Sequence, residues 1–232
     1  MIEPPSAEPP FLSGTRSSYD TWAADYAERF QAELAAKPMD RALLAAFAEL
    51  VTGAGGGLPV ADVGCGPGHV TAHLSGLELT AFGVDLAPEM VAVARRSHPE
   101  LRFEVGSMTA LDLPDGSLGG IVAFYSIIHL PDAELPRVFA EFRRVLAPGG
   151  QLLLAFHDGD GLLRLDESDG HPVPLDYYLR PPELVAGLLG RAGLPVTARL
   201  TREPYEAESL RRVYLVAGRP VDGSGPEAGS AG

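Results

Sequence analysis

The feature that most constrains this chain is a regular alternation of short apolar runs with amphipathic stretches between residues 59 and 156. Apolar runs at 59–63, 79–84, 101–105, 120–124 and 151–156 predict five buried strands, with helices between most of them. Helices are predicted before these units and two further strands after them, at 196–201 and 212–217. We therefore expect an α/β fold of the Rossmann-like, doubly wound type, with a mostly parallel seven-stranded sheet, helices on both faces and an N-terminal helical cap.

The first predicted strand runs into a glycine-rich turn, which reads Asp-Val-Gly-Cys-Gly-Pro-Gly over residues 62–68, and a helix follows. Glycines let a ligand approach the backbone closely, and the start of a helix offers free N–H groups. His69 stands where a dinucleotide-binding G-x-G-x-x-G turn would have its last glycine. Asp85 closes the second strand, 21 residues after Gly64, where its carboxylate can accept hydrogen bonds from both hydroxyls of a ribose. The pattern predicts a site for an adenosine without a pyrophosphate.

Four ordered motifs then identify a family resemblance. The turn at 62–68 resembles the first motif of the class I S-adenosylmethionine-dependent methyltransferases, and Val-Asp-Leu-Ala-Pro-Glu-Met at 84–90 resembles their second. Gly-Ser-Met at 106–108, with Leu111 and Leu113-Pro114, is similar to a third. The segment 142–150, Phe-Arg-Arg-Val-Leu-Ala-Pro-Gly-Gly, resembles the turn before the fifth strand. The match covers residues 19–157 and implies methyl transfer to O, N or C of a small metabolite, with S-adenosylmethionine as cofactor and S-adenosylhomocysteine as product.

The resemblance also implies roles for matching positions in the cofactor site. Asp62 would orient the ammonium group, and Asp85 would hold the ribose. Ser107 stands where the family usually has an acid that accepts a hydrogen bond from the adenine amino group. In this chain the Ser107 hydroxyl or the backbone would have to accept that bond. The remaining positions would flank the methionine part or the adenine: Gly64, Gly66, Leu86, Met90 and Met108.

The predicted helix at 19–36 resembles the opening helix of related enzymes, in which a tyrosine closes over the cofactor carboxylate. Tyr26 is the first candidate for that tyrosine and Tyr19 the second, and the alternative is an aromatic stripe that only packs in the core. Arg41, in the helix predicted at 39–51, is a further candidate partner for the carboxylate, with a solvated surface charge as the alternative.

Candidate catalytic residues follow the fourth and fifth predicted strands. His129 and His157 are the candidate general bases, since the pKa of histidine suits proton removal near neutral pH, and a structural histidine is the alternative for each. Tyr125 falls where the family often has a residue against the sulfonium. The long irregular stretch at 158–180 is predicted to be a substrate lid. Candidate substrate contacts, or else ordinary surface residues, are Arg164, His171, Tyr177, Tyr178 and Arg211.

Composition bounds the remaining expectations. Residues 1–14 and 219–232 are predicted to be disordered, with a single domain at 15–218 whose cap helices occupy 15–52. The net charge of −13 argues against a nucleic-acid partner. Without a signal peptide or membrane span, a cytoplasmic enzyme is expected, as a monomer or homodimer, and the composition is typical of bacteria. One cysteine excludes an intrachain disulfide, and no metal site is indicated.

Two other functions stay open at this point. A nicotinamide-dependent oxidoreductase would use a related sheet, but His69 and the absence of a Tyr-x-x-x-Lys pair argue against it. A non-catalytic S-adenosylmethionine-binding protein would keep Asp62 and Asp85 without turnover.

Overall fold

The strands form one large sheet and one hairpin. The structure is a computed structural model that describes residues 9–30, 32–55, 57–206 and 208–221. Its strands are β1 (Val60–Val63), β2 (Ala81–Asp85), β3 (Arg102–Val105), β4 (Leu118–Phe124), β5 (Leu146–His157), β6 (Gly161–Ser168), β7 (His171–Leu179), β8 (Val196–Arg202) and β9 (Arg212–Gly218). The large sheet has the order β3-β2-β1-β4-β5-β9-β8, and β6 pairs with β7. The first five strands in that order, β3, β2, β1, β4 and β5, run parallel to one another. Strand β9 is antiparallel to both of its neighbours, β5 and β8.

Helices cover both faces of this sheet. They are α1 (Pro10–Phe30), α2 (Pro38–Gly53), α3 (His69–Gly76), α4 (Pro88–Ser97), α5 (Leu135–Val145) and α6 (Pro182–Arg191). The apolar faces of α5 and α6 pack on one side of the sheet, and those of α2 and α3 pack on the other. The predicted doubly wound, mostly parallel seven-stranded fold is confirmed.

The parallel order positions the functional segments. The carboxyl ends of β1, β2 and β4 lie side by side at one edge of the sheet. In open α/β sheets ligands bind in the crevice outside these strand ends. The glycine turn follows β1, Asp85 closes β2, and Tyr125 directly follows β4, so all three meet at this edge.

Two predictions about local structure were wrong. Helix α1 begins at Pro10, so residues 10–14 are helical and not part of a disordered lead-in, whereas residues 1–8 and 222–232 lie outside the described residues. The stretch at 158–180 is not irregular, because it forms the β6–β7 hairpin. Asp169 and Gly170, with φ angles of 50° and 79°, form its turn, and an Asp-Gly pair is a typical hairpin signal.

The hairpin fixes α1 over the sheet edge. Trp22 of α1 is buried against Val173 and Leu175 of β7. Its Nε1–H also donates to Asp169 Oδ2 at 2.9 Å, and the Ser18 hydroxyl donates to a β7 carbonyl at 3.2 Å. The helix that the sequence assigned to the cap is thereby held across the cleft at the strand ends.

A buried arginine joins the hairpin to the segment after β4. Arg180, which follows β7, is 1% exposed. Its guanidinium donates to the carbonyl of Ile127 at 3.0 Å, to the carbonyl of Leu130, and to Asp132 Oδ1 at 2.6 Å. These bonds hold the short 3₁₀ turn that carries His129.

Among the described residues, no helix combines the length and the apolar character that crossing a bilayer requires.

We predict that Arg180→Met lowers the free energy of unfolding by about 3 kcal/mol, because the Leu130 carbonyl loses its donor and the Ile127 carbonyl keeps only the N–H of Leu130. Urea denaturation followed by circular dichroism measures this change. Arg199→Met is the control, since Arg199 and its partner Glu183 are both exposed and such pairs contribute about 1 kcal/mol or less. Equal effects of the two substitutions would contradict the role given to Arg180.

Candidate active site

The strand ends and α1 enclose a cleft of about 1140 Å³ that is open to solvent. Every predicted cofactor residue except Arg41 lines it. These residues are Tyr19, Tyr26, Asp62, Gly64, Gly66, Asp85, Leu86, Met90, Ser107, Met108 and Tyr125. The structure therefore brings together, in one concave site, positions spread over more than 100 residues of sequence.

The floor of the cleft is the glycine turn, which packs directly against the segment after β4. Gly64 and Gly66 have φ angles of 78° and 51°, which only glycine adopts without strain. A Cβ atom at Gly64 would lie 2.2 Å from Ser126 Cβ. The Ser126 hydroxyl donates to the carbonyl of Val63 at 2.7 Å, which ties the two loops together. At these two glycines the turn exposes its main chain to the cleft.

Asp85 is locked in place by main-chain donors. The N–H of Gly66 donates to its Oδ2 at 2.8 Å, and the N–H of Ala87 donates to its Oδ1 at 2.9 Å. Burial raises the pKa of Asp85, and these hydrogen bonds oppose that rise. Because each carboxylate oxygen has two lone pairs, both can also accept from ligand hydroxyls in the cleft.

The Asp62 carboxylate is hydrogen-bonded to the first turn of α3. Its Oδ2 accepts a hydrogen bond from the Thr71 hydroxyl at 2.7 Å, and the residue is 1% exposed. Burial raises the pKa of the Asp62 carboxyl to about 7, although the bond from Thr71 acts in the opposite direction. Asp62 thus lines the cleft while stabilising the helix that follows the turn.

The wall beside Asp85 is mostly apolar, with Leu86, Met90 and Met108. The Ser107 hydroxyl lies 2.8 Å from the Thr109 hydroxyl, and it accepts the N–H of Thr109 at 3.3 Å. Ser107 therefore lines the cleft with its hydroxyl already bonded within its own turn.

Tyr19 and His129 form a hydrogen-bonded pair at the other wall. The carbonyl of Asp176 lies 3.0 Å from His129 Nδ1, and it can only accept, so Nδ1 carries the proton. The Tyr19 hydroxyl, 2.8 Å away, then donates to Nε2 of the neutral ring. Burial lowers the pKa of His129 to about 4, so the ring is neutral at pH 7. Both ring nitrogens are engaged, and the Tyr19 hydroxyl also shares a hydrogen bond with the Tyr177 hydroxyl, which leaves its oxygen one lone pair.

His157 lies behind Tyr125 and does not line the cleft, so its predicted role as a base in direct contact with substrate is corrected. The two rings stack with centroids 5.4 Å apart. The Arg212 guanidinium donates to Nδ1 at 2.6 Å. Burial, followed by the charge of Arg212, lowers the pKa of His157 to about 3. The hydrogen bond from Arg212 occupies the nitrogen that would have to accept a proton.

Tyr125 itself does face the cleft. Its backbone has a φ angle of 52°, which is uncommon for a non-glycine residue. Its hydroxyl lies 3.0 Å from that of Tyr214, which in turn donates to Asp40 Oδ1 at 2.6 Å. Because the Tyr214 proton is given to Asp40, Tyr125 donates to Tyr214.

Tyr26 both packs in an aromatic stripe and lines the cleft, the two alternatives that the sequence left open. Its ring packs edge-on against Tyr19 and Trp22, with centroids 5.7 and 5.0 Å apart, as an aromatic stripe would. It also lines the cleft above the turn, since a Cβ atom at Gly66 would lie 3.9 Å from its Cε1.

Several predicted contacts lie away from the cleft. Arg41 donates to the carbonyls of Leu34 and Ala35, so it closes the turn before α2 and does not face a ligand. Four of the predicted substrate contacts bind other side chains on the hairpin or beside it. Arg164 pairs with Asp166 and Asp176, and His171 pairs with Asp25 of α1. Tyr178 lies against the guanidinium of Arg180, and Arg211 pairs with Asp158. Tyr177 packs on His129, with centroids 4.8 Å apart.

Sequence reasoning missed some cleft residues. The structure adds Arg16, Glu33, Lys37, Asp40 and Ser126 to the lining. Only Ser126 carried a signal, its place next to Tyr125 after β4. The others lie on the cap, whose orientation over the sheet is not encoded in any local pattern. Among the described residues, no group of three or more His, Cys, Asp or Glu side chains could hold a metal ion.

Comparison with known protein families gives a match to the methyltransferase domain over residues 60–150. A probable S-adenosylmethionine-dependent methyltransferase of Mycolicibacterium smegmatis is 31% identical over 144 residues, which cover 60% of this chain and 53% of the relative. The alignments span about a third to a half of the length of most curated relatives that the chain matches.

Two solved structures share the fold over nearly the whole chain. The 1,6-didemethyltoxoflavin-N1-methyltransferase of Burkholderia thailandensis, with bound 1,6-didemethyltoxoflavin and S-adenosylhomocysteine, has a TM-score of 0.69 at 22% identity and covers 94% of this chain and 93% of its own. The magnesium protoporphyrin IX methyltransferase of Synechocystis, with bound S-adenosylmethionine, has a TM-score of 0.68 at 16% identity and covers 92% and 99%.

We predict that Gly64→Ala lowers the free energy of unfolding by about 2 kcal/mol, through backbone strain and overlap with Ser126. A Gly64→Ala/Ser126→Gly double variant should recover part of that loss, because the overlapping Cβ is gone. Gly14→Ala is the control, since space at Gly14 is open and the substitution favours the helix. Thermal unfolding of the wild type and the three variants measures these differences. A Gly64→Ala protein as stable as the wild type would contradict the packing described.

The raised pKa of Asp62 predicts a pH-dependent stability. Between about pH 4 and 7 the folded protein keeps a proton that the unfolded chain releases, so the contribution of this group falls as pH rises. Relative to Asp62→Asn, the wild type should lose up to about 4 kcal/mol across that window. Urea denaturation from pH 4 to 8 tests this, with the exposed Asp112→Asn as control. Parallel profiles for wild type and Asp62→Asn would overturn it.

Proposed function

We propose that this chain is a class I S-adenosylmethionine-dependent methyltransferase, which binds S-adenosylmethionine in the cleft and transfers its methyl group to a small molecule. The observation that carries the proposal is the pairing of the glycine turn with Asp85. A bare main-chain floor and a fixed carboxylate lie side by side at the strand ends, joined by the bond between Gly66 and Asp85.

The residues of the cleft fit the parts of this cofactor. Asp85 would accept hydrogen bonds from the ribose hydroxyls, and Leu86, Met90 and Met108 would contact the adenine. The main chain at Gly64 and Gly66 would pass beside the methionine part, where a side chain would leave no room. Asp62 would contribute negative charge near the ammonium group. The same concave cleft also takes in Tyr125 and His129, beside which an acceptor would lie.

The bound cofactor supplies a methyl group that is already activated by the positive charge on sulfur. The protein then has to hold an acceptor in line and keep water out, and such positioning contributes about 7–11 kcal/mol in favourable cases. Helix α1 and the hairpin would cover the acceptor, with Tyr19, Tyr125 and His129 as the polar groups around it.

We propose Tyr19 as the group that contacts the acceptor, with His129 behind it. Tyr19 gives its proton to His129, so its oxygen can accept a hydrogen bond from an acceptor O–H or N–H. His129 would fix the direction of that hydroxyl. The role of general base that the sequence predicted for His129 requires the Tyr19 bond to break first.

The support for a small acceptor is the concave cleft between the strand ends and α1, together with the strongly acidic chain. A net charge of −13 disfavours a nucleic-acid substrate. Related proteins are named for acting on small molecules, among them 1,6-didemethyltoxoflavin and magnesium protoporphyrin IX. We propose a single catalytic domain from residue 10 to 218, acting as a monomer or homodimer in the cytoplasm of a bacterium.

Isothermal titration calorimetry with S-adenosylhomocysteine tests the proposal. We expect micromolar binding by the wild type and a loss of at least about 10-fold for Asp85→Ala, because charge-assisted hydrogen bonds to the ribose disappear. Asp112→Ala, at an exposed position, is the matched control and should bind as the wild type does. NAD is titrated alongside. Binding of NAD instead, or no binding of S-adenosylhomocysteine, would refute the proposal.

Once binding is established, transfer of labelled methyl groups from S-adenosylmethionine to a metabolite library tests turnover. A labelled product separates an enzyme from a protein that binds the cofactor without using it.

A further inference from the structure

Lys37 is the only lysine of the chain, whose other 17 Lys and Arg residues are all arginines. It occupies the N-cap position of α2, in the short connection from the 3₁₀ turn at 34–36. Its side chain is 12% exposed and lines the cleft. A single ammonium group is thus half-buried in the wall of the site, in a protein whose other basic side chains of this kind are all guanidinium groups.

The ammonium group of Lys37 is held by two acids from different parts of the chain. Its Nζ lies 2.6 Å from Glu33 Oε1 and 3.2 Å from Glu208 Oε1. It also lies 5.7 Å from the centroid of the Tyr125 ring. Arg202 shares Glu208 through bonds of 2.5 and 3.0 Å, so that acid does not neutralise Lys37 alone.

This arrangement leaves part of the ammonium group available to a ligand. An ammonium group has three N–H donors in a tetrahedral array, and the two acids account for two of them. The geometry suits a third acceptor on the cleft side of Lys37.

The position of Lys37 along the cleft identifies that acceptor. Two permanent cations line the cleft within the described residues, Arg16 and Lys37. The Nε–H of Arg16 donates to the carbonyl of Leu86 at 3.3 Å, next to Asp85 and therefore at the ribose end. Lys37 lies beside Tyr125, which follows β4, and β1 with its glycine turn lies between β4 and the Asp85 end of β2.

We propose that Lys37, and not Arg41, binds the carboxylate of the amino-acid part of S-adenosylmethionine. The inference rests on the proposed function, because the orientation of the ligand follows from Asp85 holding its ribose. Glu33 and Glu208 act on the ligand through Lys37, as positioning residues that fix its ammonium group. The cleft thereby distinguishes a complete cofactor from an adenine nucleoside that lacks the amino-acid part.

Calorimetry with two ligands tests this proposal without an acceptor. S-adenosylhomocysteine has the carboxylate, and 5′-methylthioadenosine has the same nucleoside without the amino acid. We expect Lys37→Met to weaken S-adenosylhomocysteine binding by about 10- to 100-fold and to leave 5′-methylthioadenosine binding within about 2-fold of wild type. Lys37→Arg keeps the charge and should restore part of the lost affinity.

Two controls separate recognition from damage to the fold. Lys37→Met/Glu33→Gln removes the acid that Lys37→Met leaves unpaired, and we expect it to keep the selective loss. Arg16→Met removes the other cleft cation, and its effect should be the same on both ligands. Thermal unfolding establishes that each variant is folded at the temperature of the titrations.

The possible outcomes are distinct. A selective loss for S-adenosylhomocysteine in both Lys37→Met proteins supports the inference. Equal effects on the two ligands, or no effect on either, would overturn it while leaving the proposed function in place. If the wild type binds neither ligand, the proposed function itself fails.

Discussion

The hydrogen bond from the Gly66 N–H to the Asp85 carboxylate is the contact on which the candidate site depends. It joins the turn after β1 to the end of β2, and the N–H of Ala87 fixes the second carboxylate oxygen. The turn can take this path because Gly64 and Gly66 adopt positive φ angles. On its other side Gly64 abuts Ser126, so three neighbouring strand ends are held in one rigid unit. A ligand therefore meets a floor whose polar groups are already oriented.

Over this floor lies a cover whose packing is partly polar. Trp22 and the Ser18 hydroxyl hold α1 to the hairpin, and Tyr19 reaches down to His129. Arg180 holds the loop that carries His129. This series of contacts, from Arg180 through the loop of His129 to Tyr19, explains why Tyr19 and His129 share a hydrogen bond at the cleft wall although they are far apart in sequence. It also explains why His129 is neutral, since it is buried where its charged form would lose solvation.

Charge is distributed unevenly between the surface and the site. The chain carries a net charge of −13, yet the cap side of the cleft contains a compact group of buried and half-buried charges around Glu208. Lys37, Arg202 and Arg212 all approach this acid. Such a group is costly to bury unless every member is paired. Its position beside Tyr125 connects it to ligand binding, and this connection is what the Lys37 variants test.

The sequence by itself determined the sheet, the glycine turn and Asp85, because each depends on local chemistry. Strand periodicity, glycine at positive φ and an acid at a strand end are readable one segment at a time. The hairpin was also readable, since Asp169 and Gly170 form a turn that the sequence analysis passed over. Only the tertiary structure decided which cap residues face the cleft. Arg41 and Lys37 are four residues apart on or beside the same helix, and the docking of that helix turned Lys37 to the cleft and Arg41 to backbone carbonyls. It also decided the state of the histidines, because the partners that occupy the nitrogens of His129 and His157 come from distant strands and from α1.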